Sequence, residues 1–184
     1  MSVAERSYTA DEFWEIASLP ENEDRRLELE DGEIVDMGWS SPLNTIVAVR
    51  MATFINVFVL ANDLGYVTGA DGGFILPNGN TRRPDVGFVS KQRLSALPER
   101  FYLAPDLAVE VVSPNEDILK KVYEYLDSGT RLVWAIYAED KTVIVFKFDE
   151  HNILRGERLD ITGTLDGGDV LPGFTLAVKD IFPT

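Results

Sequence analysis

The chain reads as a mixed α/β protein, with a central mixed β-sheet flanked by helices. Three observations predict this class. Helical and strand segments alternate in the order helix, hairpin, helix, several strands, helix, strands, which asks for helices laid on the faces of a sheet. The stretch Leu107-Ala108-Val109-Glu110-Val111-Val112 is apolar at nearly every position and reads as a buried strand. At 184 residues and 45% hydrophobic content the chain can bury one full core, and no linker, repeat or low-complexity stretch divides it, so residues 1–184 are read as a single domain.

The elements follow in order. Thr9-Ala10-Asp11-Glu12 is a capping box that opens a short helix through Ala17, and Pro20 closes it off. Arg26–Glu30 and Glu33–Met37 alternate around Asp31-Gly32, a strong two-residue hairpin signal. Ser41-Pro42 fits an N-cap and first helical position, and the helix should run to about Asn62 on an apolar face of Leu43, Ile46, Val47, Met51, Phe54, Ile55, Phe58 and Val59. Short strands are expected over Gly65–Thr68 and Gly73–Pro77. A polar turn at Asn78-Gly79-Asn80 then leads to a strand opened by Asp85, and a short helical turn is expected over Lys91–Leu97. The Glu110 strand ends at Ser113-Pro114, read as the cap of a helix that reaches Ser128 and stops at Gly129. Arg131–Tyr137 and Thr142–Phe148 read as strands. The glycine-rich tail from Ile153 should hold short edge strands, irregular structure and a last turn at Val178–Phe182.

Composition excludes several kinds of chemistry. The chain carries 17 basic and 31 acidic residues, a formal charge of −14, so a broad electrostatic grip on nucleic acid is not expected, although a local basic patch or a metal could offset the acids. There is no cysteine, hence no disulfide and no thiolate metal site. The one histidine, His151, falls in a turn, which argues against a Ser-His-Asp triad or a histidine-rich zinc site. A small-molecule hydrolase lacks any nucleophile–base signature. Met1 to Arg6 leads into no apolar signal core, and Val47–Leu60 is too short, and too broken by Arg50 and Asn56, to span a bilayer. The expectation is a soluble, cytoplasmic protein with no membrane partner.

Glu110 is the most informative residue. An unpaired carboxylate inside an apolar strand costs several kcal/mol or shifts its pKa until it neutralises, so it requires a cation, a metal or a donor network. Asp85 opens another apolar strand, Val86–Val89, and two acids on two central strands suggest one site. The blander readings are a core ion pair from Glu110 to Arg82, Arg83, Lys120 or Lys121, a turn-capping role for Asp85, a solvated face for Glu28 beside Arg26 and Glu30, and an exposed Lys121 paired with Asp117.

Glu28 near a hairpin, Pro84-Asp85, Glu110-Val111-Val112 and Lys121 on the next helix, in that order, resemble the PD-(D/E)XK nuclease superfamily with its restriction-endonuclease-like fold. More closely, the chain resembles a large bacterial family of uncharacterised restriction endonucleases. The resemblance rests on Leu27–Glu33, Arg83-Pro84-Asp85-Val86, Val109–Pro114, Asp117–Tyr125 with Gly129, and Val133–Tyr137, and covers roughly residues 8 to 150. It implies a metal-dependent endonuclease that hydrolyses DNA, with Glu28, Asp85, Glu110 and Lys121 as catalytic residues. Asp85, Glu110 and the backbone carbonyl of Val111 would hold Mg²⁺ or Mn²⁺, and oxygen ligands suit such hard cations. It further implies pairing into a homodimer. The chain departs from the pattern in two places: Val112 stands where the strand lysine is usual, which moves that role to Lys121, and Asn44 stands where related chains often carry a histidine. Lys121 shares a helical face with Asp117 and Tyr125, whereas Lys120 points about 100° away. The Lys121 ammonium is expected within reach of Glu110 or Asp85. Tyr125 and Trp134 are read as core. The competing class is a catalytically inactive relative that keeps the fold as a binding or dimerisation module.

Overall fold

A computed structural model describes residues 7–94, 96–114 and 116–183. Helix α1 (Ala10–Ala17) opens on the expected capping box, with Thr9 and Glu12 bonding each other's backbone N–H. Strands β1 (Leu27–Glu30) and β2 (Glu33–Asp36) form the hairpin. Its loop residues Asp31 and Gly32 both have positive φ, 51° and 83°, as the tightest hairpin turns require. Helix α2 (Pro42–Ala61) follows, capped by Ser41. Then come β3 (Gly65–Gly69), β4 (Phe74–Ile75), β5 (Thr81–Arg82), β6 (Val86–Ser90) and β7 (Leu107–Val111). Helix α3 (Ile118–Asp127) connects to β8 (Leu132–Tyr137), β9 (Thr142–Phe148), β10 (Leu154–Leu159), β11 (Thr164–Asp166) and β12 (Thr175–Ala177), and a 3₁₀ turn spans Val178–Asp180.

The central sheet has six strands in the order β10-β9-β8-β7-β6-β3. Only β7 and β8 run parallel, joined by the α3 crossover, so the sheet is mixed. The hairpin does not join it. Strands β1 and β2 build a separate four-stranded sheet with β5 and β4, and β11 pairs with β12 alone. Four further expectations change. Helix α3 is capped by Asp117, whose side chain accepts the Lys120 N–H, and not by Ser113. Lys91–Arg93 is a plain turn, and no helix covers Lys91–Leu97 among the described residues. The tail supplies a regular six-residue edge strand in β10. Helix α2 is long and apolar enough to cross a membrane, so length does not argue against a span.

Alternation divides β7 between two layers. Leu107, Val109 and Val111 point toward α2, where they pack with Val47, Met51, Ile55 and Val59 and with Trp134 and Ile136 of β8. Ala108 and Glu110 point toward α3, whose Ile118, Val122, Tyr125 and Leu126 cover Val133 and Ala135. Each such aliphatic side chain, fully buried, contributes roughly 1.5–3 kcal/mol. The buried stripe of α2 is narrower than the sequence suggests: Ile46 and Phe54 face outward. Asp106, buried at the entry to β7, ties three strands together. Its N–H donates to Phe88 O (2.7 Å) and its Oδ2 accepts from Ser90 N (2.8 Å). Arg131 donates to Asp106 three times, from its backbone N to the carbonyl (3.0 Å) and from Nε (3.2 Å) and Nη2 (3.1 Å) to Oδ1. Gly87 lets β6 pass close to its neighbours, since a Cβ there would sit 2.7 Å from Thr68 Oγ1 and 2.8 Å from Phe74 Cε2.

Candidate active site

Strands β6 and β7 are antiparallel with Val86 opposite Val109 and Gly87 opposite Ala108. Carried one residue further, that register sets Asp85 across from Glu110, and directly opposed residues share a face. Val86 and Phe88 pack toward α2, so Asp85 and Glu110 both emerge on the α3 side. Asp85 is held at both oxygens: Oδ1 accepts from Arg26 Nη2 (3.0 Å) and Oδ2 from the Val111 N–H (2.7 Å). Glu110 is buried, and its Oε1 accepts the hydroxyl of Tyr125 (2.8 Å).

Helix α3 delivers Lys121 to the same place. Its ammonium is buried and lies 2.6 Å from Glu116 Oε1, 3.7 Å from Glu110 Oε2 and 3.8 Å from Glu28 Oε2. Asp117 is not its partner, since that side chain caps the helix. Lys120 turns to the surface and pairs with Glu30 and with Asp31 (3.0 Å). Glu28 is fully buried, which overturns the solvated-face alternative; it accepts from Arg82 Nη1 (3.0 Å) and from the Arg83 N–H (3.0 Å). Arg82 serves this second cluster and not Glu110, holding Glu30 (3.1 Å) and Glu124 (2.6 Å) as well. The Arg83 side chain leaves toward Asp71 (2.7 Å).

A cavity of about 260 Å³ opens onto Arg26, Asp36, Ser40, Asp85, Glu110 and Lys121. Asn44 lies outside it, on a smaller cavity that also reaches Arg26 and Asp85. Burial pushes the Glu110 carboxyl up to about 8; Asp85, Glu28 and Glu116 add to the rise, and Lys121 opposes it. Burial likewise raises Asp85, against the pull of Arg26 and the Val111 N–H. For Lys121, burial favours the neutral amine, but Glu110, Glu28 and Glu116 outweigh it and hold the ammonium above its ordinary range. The site is therefore an ionised lysine among carboxyls, one of which is neutral over part of the ordinary pH range.

The donor set suits a hard divalent cation in a limited way. Among the described residues no group of three or more His, Asp or Glu side chains stands at metal-holding separations. Asp85 and Glu110 offer two carboxylates on one face, and Mg²⁺ is commonly held by one or two carboxylates with water and substrate oxygens completing the shell. A cation would also relieve the crowding that raises Glu110.

Arg26, Glu116 and Tyr125 were not among the residues expected here. Arg26 shares the alternating face of Glu28, and Tyr125 follows Lys121 by one helical turn, so both carried a positional signal. Glu116 carried none, because it precedes the helix cap.

The family described as Uma2, putative restriction endonuclease, matches residues 10–179. None of the curated proteins matches the chain. Among solved structures, a putative nuclease belonging to DUF820 from Anabaena variabilis ATCC 29413 is similar over 95% of this chain and 97% of that one, with a TM-score of 0.80 and 21% sequence identity, a likeness of fold.

Proposed function

We propose, from the premise that the chain belongs to the Uma2 family of putative restriction endonucleases, that it is a divalent-metal-dependent DNA endonuclease of the PD-(D/E)XK type. The observation that carries the reading is the meeting of Asp85, Glu110 and Lys121 at one cavity, from two neighbouring strands and the helix that follows them. Asp85 and Glu110, with the Val111 carbonyl, would hold Mg²⁺ or Mn²⁺. That cation would polarise the phosphodiester and acidify an attacking water. The protein's own groups supply the rest. Lys121 places a fixed positive charge beside the acids, where it can stabilise charge that develops on phosphate oxygens. Glu116 and Glu28 keep that ammonium ionised and aimed. Tyr125 pins one oxygen of Glu110 and leaves the other toward Lys121.

A second reading, an inactive relative that binds or dimerises, has one observation in its favour. Arg26 already occupies an oxygen of Asp85 and would have to share it with a cation. One experiment separates the two. Plasmid and linear DNA are incubated with Mg²⁺ or Mn²⁺, and thermal melts are recorded with and without each cation. The nuclease reading expects cation-dependent cleavage and an upward melting shift, both lost in Asp85→Asn. A melting shift that survives in Asp85→Asn, with no cleavage by either protein, would sink it.

A further inference from the structure

Trp39 is 96% exposed. The other two tryptophans are accounted for: Trp134 is buried and stacks on Phe174, and Trp14 lies under the guanidinium of Arg100, 4.6 Å from the ring centroid. Trp39 has no aromatic or cationic partner among the described residues. A single exposed apolar side chain needs no explanation by itself. Its position supplies one. Trp39 sits in the connection between β2 and α2, and residues on both sides of it, Met37 and Ser40, line the cavity that holds Asp85, Glu110 and Lys121. The loop is pinned at both ends. Asp36 Oδ1 accepts the Gly38 N–H (3.0 Å), Gly38 takes a φ of 65°, and Ser41 caps α2. Ser40 Oγ meets Arg26 Nη1 at 3.4 Å, which ties the loop to the arginine that holds Asp85. The indole is thus displayed to solvent on an anchored loop whose neighbouring residues line the site.

Charge decides what such a platform is for. The protein carries −14, and the cavity has two cations, of which Arg26 is held by Asp85 and Lys121 sits beside the acids, placed for a single reacting phosphate. Little free positive charge remains to grip a phosphate backbone. Stacking on an aromatic ring does not depend on charge and works with any base whose face is free. A paired, stacked base offers no such face.

We propose that Trp39 is a stacking platform for an unpaired nucleobase, so that the substrate class of the site is single-stranded nucleic acid or a duplex with an unpaired or extruded base beside the cut. The inference rests on the reading of the site as one that handles nucleic acid. It is tested on the full chain in EDTA, which prevents cleavage, by titrating oligothymidylate, and separately its duplex with oligodeoxyadenylate, while following tryptophan fluorescence. Quenching by the single strand is expected, with clearly weaker binding of the duplex. Trp39→Ala should lose the quenching and bind at least about fivefold more weakly, and Trp39→Phe should recover part of the affinity. Equal affinity of wild type and Trp39→Ala for the single strand would overturn the proposal. So would a wild type that binds duplex as tightly as single strand. Loss of self-association in Trp39→Ala by light scattering, with unchanged strand binding, would assign the ring to a second copy of the chain and overturn it too. If the quenching behaves as expected but no cation yields cleavage, the platform stands and the nuclease reading falls; cleavage without quenching reverses that outcome.

Discussion

Arg82 and Lys121 are both buried cations among glutamates, and they share Glu28, yet their surroundings differ in kind. Arg82 spends its guanidinium on Glu28, Glu30 and Glu124, knitting β5 to β1 and α3. Its planar fork suits several carboxylates at once. Lys121 makes one close pair, with Glu116, and two looser ones near 3.7 Å, and it borders a cavity. A cation in close contact with three carboxylates holds elements in place. A cation with slack, next to an acid of raised pKa, has charge left for something that enters from outside. The difference separates scaffold from site more clearly than residue type does.

The largest effect expected from this contrast is on stability. Arg82→Met removes the cation that three glutamates share, leaving Glu28 only the more distant Lys121 and Glu30 only the surface Lys120, and breaking a buried charge pair from one side costs about 3–5 kcal/mol. Urea unfolding of the metal-free protein measures it. A loss below about 1 kcal/mol would erase the distinction, because Arg82 would then have no more structural weight than an exposed pair.

Lys121→Ala should act on turnover. DNA cleavage is expected to fall at least about tenfold, a modest figure for one preorganised charge-stabilising donor, while the cation-induced melting shift is retained. Lys120→Ala is the internal control: it removes an exposed pair and should leave cleavage near wild type. Equal cleavage by the two variants would return Lys121 to the scaffold.

A smaller effect should appear in the pH dependence of stability. The folded state raises Glu110 from its ordinary 4.5 to about 8. A carboxyl raised on folding favours the folded state below the unfolded value, and that contribution is lost as pH climbs through the folded one. Metal-free protein should therefore lose stability across that window more steeply than Glu110→Gln, and Mg²⁺ should flatten the wild-type curve. Parallel curves for the two proteins would mean that Glu110 titrates as an ordinary carboxyl.

Much of this was legible in the sequence, for reasons that can be named. Local rules suffice where the determinants are local: Thr9 with Glu12, Asp31-Gly32 and Ser41-Pro42 each mark an element that the structure contains. Helical phase alone separates Lys121 from Lys120, and the structure buries one and exposes the other. Elsewhere the local signal misled. Ser113-Pro114 carries the signature of a helix start, but the Ser113 N–H is taken by Glu116, and the helix waits for Asp117. Glu28 alternates with Arg26 and Glu30 as a solvated face would. Its burial depends on Arg82, 54 residues further on, and no local pattern announces that meeting. The hairpin was evident, but its separate sheet was not, because turn chemistry fixes how two strands pair and says nothing of which third strand they meet. From the sequence alone Tyr125 reads as packing. It is buried as core residues are, and only the 2.8 Å contact with Glu110 reveals its second task.

Asp106 gives the site an address away from itself. It lies four residues from Glu110, about 13 Å along an extended chain, and touches none of the site groups described above. Yet it clasps Phe88, Ser90 and Arg131, and so holds three adjoining strands in step. A strand is a two-stroke object: advance it by one residue and every side chain changes sides. Whether Asp85 and Glu110 share a face is thus a question of timing, and the beat is kept at the opposite end of the strand. Sequence change near the acids is constrained by their chemistry; change at Asp106 is constrained by synchrony, a demand that would hold even if the chemistry were exchanged for another.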